Sequence, residues 1–163
     1  MKLSKKQISR YSRQIILKKI GVIGQKKLLE SSVLIVGAGG LGSPIAIYLA
    51  ALGIGKIGIV DKDKVQISNL SRQIIFSMRD INKAKATVAI NKLKNINSDL
   101  KLLPFNKKIT IKNINQIAKN FDLIIDGSDN FQTRFLINDY CLKNKKILIS
   151  GAISKFDGQV YTF

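Results

Sequence analysis

Histidine is absent from the 163 residues, and cysteine occurs once, as Cys141. Without an imidazole there is no Ser–His–Asp or Cys–His machinery and no histidine metal site. One thiol cannot close an internal disulfide or build a cysteine-only zinc site, so no zinc site is expected in this chain. The cysteine usage suits a reducing compartment, and the expected location is cytoplasmic or the stroma-like space of an organelle. Acidic residues are scarce too, 10 against 28 Lys and Arg, for a formal net charge of +18. Long apolar runs are missing: Ile45 to Ile54, the longest, is about half the ~20 residues of a spanning helix, so no membrane span is expected. With two Pro, twelve Gly and 45% hydrophobic residues, the chain is neither collagen-like, nor disordered, nor a disulfide scaffold.

What is present suffices for one core. A single domain is expected over 1–163, with an N-terminal helical segment (1–30) ahead of the sheet-forming core (31–163). Such a charge suits nucleic acid, an anionic membrane or an acidic protein. The lysines are spread along the chain rather than gathered in one block, and Lys, Ile and Asn dominate the composition. Neither nucleic acid nor a membrane is therefore the expected partner; if the charge has a partner, an acidic protein suits it as well as RNA. Nine Lys or Arg precede Glu30, the first acid, which resembles a targeting presequence. Ser4-Lys5-Lys6-Gln7 nevertheless reads as a capping box, and Ile8, Tyr11 and Ile15 share a helical face, so a folded helix over about 4–18 is expected.

Ser32-Val33-Leu34-Ile35-Val36 is continuously apolar, as in a strand buried on both faces of a parallel sheet. A glycine cluster, an apolar helix (about 41–53) and a second strand, Lys56 to Val60, complete a βαβ unit. A long polar loop runs from Lys62 to about Asp80, and Asn82 is expected to cap a helix that packs Ala86, Ala89, Ile90 and Leu93. Further strands are expected at 100–105, 122–126, 146–150 and 158–163. Helices are expected at 111–119 and after 130, the latter facing the core with Phe131, Phe135 and Leu142. Strands and helices alternate, which predicts an α/β fold: a Rossmann-like open, mostly parallel sheet with helices on both faces, preceded by an N-terminal helical segment.

Gly37-Ala38-Gly39-Gly40-Leu41-Gly42 fits G-x-G-x-x-G between a strand and a helix. Glycines let the backbone approach a phosphate, and the helix start behind them offers free N–H groups. Asp61, ending the next strand, is placed to accept hydrogen bonds from a ribose. The loop adds Asn69, Arg72 and Gln73, and Lys85 follows thirteen residues after Arg72. Two cations near a nucleotide suit a triphosphate better than the pyrophosphate of NAD, which disfavours an NAD-linked oxidoreductase. Asp126-Gly127-Ser128-Asp129-Asn130 lies beyond a strand's carboxyl end, where open α/β sheets bind ligands and a carboxylate can hold Mg²⁺. Taken alone, Arg72 could be a solvated loop charge, Lys85 a surface helix charge and Asp129 a helix N-cap.

In these motifs the chain resembles the ubiquitin-activating-like adenylyltransferases that serve molybdopterin and thiamine biosynthesis. The matching stretches are Arg10 to Leu17, Gly37 to Gly42, Asp61, Asn69 to Gln73, Lys85, Ser128 to Asn130 and Ser150 to Ala152, in family order over essentially 10–163. The resemblance implies ATP-dependent acyl-adenylation of the C-terminal Gly-Gly carboxylate of a ubiquitin-fold sulfur-carrier protein. A carboxylate nucleophile needs no general base, so the missing histidine is no obstacle. By the resemblance, Gly37, Gly39, Gly40 and Gly42 face the phosphates and Asp61 holds the ribose. Asn69, Arg72, Gln73, Lys85 and Asn130 contact the nucleotide, and Asp129 engages Mg²⁺. Arg13 reaches into a partner protomer's site, which implies a homodimer; the catalytic set is then Arg13, Arg72, Lys85 and Asp129. Relatives of this type usually continue further, with a crossover loop, paired Cys-x-x-Cys zinc ligands and much of the carrier-binding surface. Two other readings accompany this one: a tRNA-modifying dehydratase of the same family, and a nucleotide-binding remnant or scaffold without activity. Cys141 falls within a helical segment and is expected in the core rather than as a nucleophile.

Overall fold

The computed structural model describes residues 2–163. Six strands form one sheet: β1 (Ser32–Val36), β2 (Lys56–Val60), β3 (Lys101–Phe105), β4 (Leu123–Asp126), β5 (Ile147–Ser154) and β6 (Asp157–Thr162). Their order is β3-β2-β1-β4-β5-β6; all pairs are parallel except the β5–β6 hairpin. The helices are α1 (Lys5–Ile15), α2 (Gly21–Glu30), α3 (Gly42–Leu52), α4 (Lys85–Ile96), α5 (Ile114–Ala118) and α6 (Phe131–Asn144).

Alternate residues of the buried strands point to opposite faces. Val33 and Ile35 pack with Ala46 and Ala50 of α3 and Ala86, Ala89 and Leu93 of α4. Leu34, Val36 and Ile124 pack on the other face with Ile117 of α5 and Ile137 of α6. The expected α/β architecture is thus observed, helices on both faces included. Chain direction from β1 reverses between its neighbours β2 and β4, so the crevice between the β1 and β4 carboxyl ends is a topological switch point. No helix among the described residues is long and apolar enough to cross a membrane.

Several local expectations need correction. The first helix ends at Ile15, earlier than expected, and a second, α2, follows. Its capping box at Ser4 is present, but only Tyr11 of the expected face is buried, and Ile8 is 50% exposed. Asn82 does not cap α4: the N-cap is Ala84, without a side-chain hydrogen bond, and Asn82 takes a left-handed turn at φ 66°. Asn tolerates that conformation better than most residues, because its short polar side chain can bond locally. The expected helix over 111–119 contracts to α5. The expected core face of α6 is its solvent face: Phe131, Phe135 and Leu142 are exposed, while Thr133, Ile137, Tyr140 and Cys141 are buried. Helical period identifies which residues share a face, not which face the sheet covers. Cys141 is buried as expected, and burial pushes its thiol pKa up to about 11.

Candidate functional site

The carboxyl ends of β1, β2 and β4 converge on the switch point. Gly37 leaves β1 at φ 94°, and a Cβ there would lie 2.8 Å from the Gly127 carbonyl oxygen, so the loops after β1 and β4 touch backbone to backbone. Gly42 closes the turn, since a Cβ on it would lie 1.9 Å from the Gly37 oxygen. Gly39 and Gly40 are different: their nearest neighbours at a Cβ position are Gln73 and Arg72 side-chain atoms at 3.8–3.9 Å. The middle glycines therefore leave bare backbone open to a ligand. Behind them α3 begins without a side-chain cap, which keeps its N-terminal partial charge available.

A chain of hydrogen bonds ties this loop to the start of α4. Asp61 Oδ2 accepts from Ala38 N–H at 2.8 Å, and Oδ1 accepts from Asp63 N–H at 2.8 Å. The Asp63 carbonyl in turn accepts from Lys85 N–H at 2.9 Å. Lys85 opens α4, and its side chain is only 8% exposed; its one ion-pair contact among the described residues is Asp63 Oδ2, at 3.9 Å. An ammonium so placed is poorly compensated within the chain and suits an incoming anion.

The connecting loop is shaped by two short 3-10 turns, Ile67–Asn69 and Met78–Asp80. Asn69 is buried, and its Oδ1 accepts from Gln66 N–H at 3.1 Å, so it organises the first turn itself. Arg72 is exposed, lies over Gly40 and donates from Nη1 to the Ser68 carbonyl at 3.1 Å. Gln73 is buried, and its Oε1 has no hydrogen-bond partner among the described residues. An orphaned acceptor beside a bare glycine loop is what a site awaiting a polar ligand leaves behind.

Across the crevice, Asp129 is exposed, with Asn130 Nδ2 donating to it at 3.3 Å. The N-cap of α6 is Asn130, whose Oδ1 accepts from Thr133 N–H at 2.9 Å. Asp129 is therefore left open at the crevice. No group of three or more His, Cys, Asp or Glu side chains gathers among the described residues. A lone carboxylate fits Mg²⁺, which keeps several waters and completes its shell with substrate phosphates.

Arg13 stands apart. It is exposed on α1, whose Tyr11 accepts a hydrogen bond from Asn97 Nδ2 at 2.9 Å. Asn97 follows the far end of α4 from Lys85, about 18 Å away at 1.5 Å rise per residue. The structure thus brings together Gly37, Gly39, Gly40, Gly42, Asp61, Arg72, Gln73 and Lys85 and sets Asp129 and Asn130 opposite, but not Arg13.

One element of the site was missed by the sequence reading. Buried Asp126 and half-buried Arg134 form an ion pair, Oδ2 to Nε 3.3 Å, directly behind Asp129's loop. A carboxylate ending a buried strand needs a countercharge, and that need was the available signal.

Residues 11–163 match the ThiF family. The chain belongs to this family. Among relatives of this ThiF-family chain, the probable molybdopterin-synthase adenylyltransferase of Porphyra purpurea is 51% identical over 160 residues, 98% of this chain and 42% of that protein. The sulfur carrier protein adenylyltransferase of Thermus thermophilus is 42% identical over 163 residues, all of this chain and 60% of that protein. The solved structure of TcdA (CsdL) superposes with a TM-score of 0.88 at 27% identity, over 94% of this chain and 62% of that one. The chain thus spans about two-fifths to three-fifths of the length of these curated relatives.

Proposed function

We propose that this ThiF-family chain carries the nucleotide site of an ATP-dependent adenylyltransferase that activates the C-terminal carboxylate of a ubiquitin-fold sulfur carrier. The observation that carries this reading is Lys85: a buried ammonium with one contact at 3.9 Å, linked through Asp63 and Asp61 to an open glycine loop. The names of the two relatives, both adenylyltransferases, support the same chemistry.

In the proposed reaction, a carboxylate oxygen of the carrier attacks the α-phosphorus of ATP. The bond from that phosphorus to the bridging oxygen breaks, and pyrophosphate leaves. No proton is taken from the nucleophile, so positioned charge does the work. The bare amides of Gly39 and Gly40 and the start of α3 receive phosphate oxygens, and Asp61 holds the ribose. Arg72 and Lys85 stabilise charge on the departing pyrophosphate, Gln73 and Asn130 line the nucleotide, and Asn69 holds the turn that presents Arg72 and Gln73. Bound at Asp129, Mg²⁺ supplies further neutralisation of the phosphates. The base is assigned to an apolar crevice of about 230 Å³ between Ile109 and Thr110, after β3, and Leu136 of α6.

Arg13 follows Tyr11, which is anchored at the end of α4 away from Lys85, and we assign it to the site of a second copy in a homodimer. A location in the cytoplasm or an organelle stroma suits the thiol usage.

The test is ATP–pyrophosphate exchange with and without a Gly-Gly-ended ubiquitin-fold carrier. Carrier-dependent exchange is expected, reduced by about 10²–10³-fold in Asp129→Ala with the fold unchanged by circular dichroism. Nucleotide binding without exchange would leave the scaffold reading in its place.

A further inference from the structure

Asp126 is the most deeply buried acid of the chain, its side chain 0% exposed, and every hydrogen bond it accepts comes from the walls of the crevice. Its Oδ1 accepts from the Ser128 amide at 2.9 Å and the Ser128 hydroxyl at 2.6 Å. Its Oδ2 accepts from the Ser150 hydroxyl at 2.8 Å and faces Arg134 Nε at 3.3 Å. Arg134, on the second turn of α6, then donates from Nη2 to two carbonyls at 3.0 Å each, those of Ser128 and Gly151. These two carbonyls belong to different strand-end segments. Ser128 precedes Asp129 in the loop after β4. Gly151, on β5, lines an apolar groove of about 250 Å³ between Leu41 before α3, Ile45 of α3 and the β5–β6 hairpin.

An ion pair whose carboxylate is buried and whose guanidinium is half-buried is weak evidence for stability, because desolvation offsets much of its attraction. What this pair does provide is geometry. A planar guanidinium fork holds three acceptors in fixed directions, which an ammonium cannot reproduce. We propose that Arg134, oriented by Asp126, is a positioning residue for the adenylation. It clamps Ser128 and Gly151 together, so that Asp129 faces the phosphates while the groove wall meets the incoming acyl end. The inference rests on the adenylyltransferase reading for its reaction, but the clamp itself can be tested without turnover.

Two variants separate clamp from charge. Arg134→Lys keeps a cation beside Asp126 and should fold like the parent, yet lower kcat for pyrophosphate exchange by about 10²-fold with KM for ATP within about threefold. Arg134→Ala should lose at least as much, and guanidinium ion added to the assay should restore kcat by about tenfold or more. Hydrogen exchange followed by mass spectrometry gives the readout independent of activity. In both variants the segments 127–130 and 150–152 should exchange faster, with 37–42 unchanged. Full activity in Arg134→Lys, or unchanged protection of 127–130 in either variant, would overturn the clamp. So would a loss confined to KM without guanidinium rescue. Absence of exchange in the parent chain would defeat the adenylyltransferase reading, and hydrogen exchange would still decide whether Arg134 holds the two segments.

Discussion

Gly42 shows how a single missing methyl group shapes the site. A Cβ there would sit 1.9 Å from the Gly37 oxygen, a contact no side-chain rotation can relieve because both partners are backbone. The turn must open, and Gly37 is itself held within 2.8 Å of the Gly127 oxygen at its own Cβ position. Gly42→Ala is therefore expected to destabilise the fold by about 1–3 kcal/mol, the usual range for overpacking, as measured by urea unfolding. It should also weaken ATP binding by more than tenfold in calorimetry. Gly39 offers the contrast, with nothing nearer than 3.9 Å, so an Ala there tests the ligand's approach rather than the turn. Asp61 teaches a related lesson: the carboxylate assigned to a ribose also fastens the glycine loop through Ala38. The pairing of Asp126 with Arg134 escaped the sequence reading because contact across a strand end and a helix turn leaves no periodic trace.

The long loop between β2 and α4 depends on a buried carboxylate at its second turn. Asp80 accepts from the Ser77 amide at 2.9 Å and hydroxyl at 2.6 Å and pairs with Lys92 of α4 at 3.2 Å. Burial pushes its pKa up, but the Ser77 hydroxyl and Lys92 outweigh this, and the net value lies below the ordinary 3.8. With the folded pKa depressed, the stabilisation is fully present above the unfolded carboxylate range. It is lost as pH falls through the lowered folded value. Asp80→Asn should accordingly cost about 1–3 kcal/mol near neutral pH. The difference between variant and parent in urea unfolding should vanish once the pH is below both pKa values. A difference that persists unchanged in acid would show that shape rather than charge holds the turn. In α6 the element itself was legible, but its orientation was not. Phe131 and Phe135 stack with ring centroids 6.2 Å apart on the solvent side, because Arg134, Ile137 and Tyr140 take the sheet side.

In the whole molecule, α1 is fastened at the end of α4 opposite Lys85. Tyr11 is 1% exposed, touches Asn97 and sits where a Cβ on Gly53 would meet its hydroxyl at 2.5 Å. This anchor fixes Arg13 on the exterior. If Arg13 serves a second copy, Arg13→Ala and Lys85→Ala should each be nearly inactive alone. Refolded together in equal amounts, they should regain about a quarter of parental exchange activity, because half the two-fold dimers then hold one intact site. No recovery on mixing would assign Arg13 to some other task.

The glycine turn, the apolar strands and the residues Asp61, Arg72, Gln73 and Lys85 were legible in order along the chain. Steric demands on backbone and burial of both strand faces act over a few consecutive residues, so they leave a local record. By themselves they determined the α/β class and the glycine turn, and the motifs along the chain carried the resemblance to the family. The tertiary structure decided which face of α6 packs, that Asn69 organises its own turn, that Asn130 rather than Asp129 caps α6, and that Arg13 is exposed on α1 with Tyr11 anchored at the far end of α4 from Lys85. It also decided the Asp126–Arg134 pairing. Each of these depends on contacts between segments distant in sequence, where burial and hydrogen-bond partners are set by packing rather than by any periodicity.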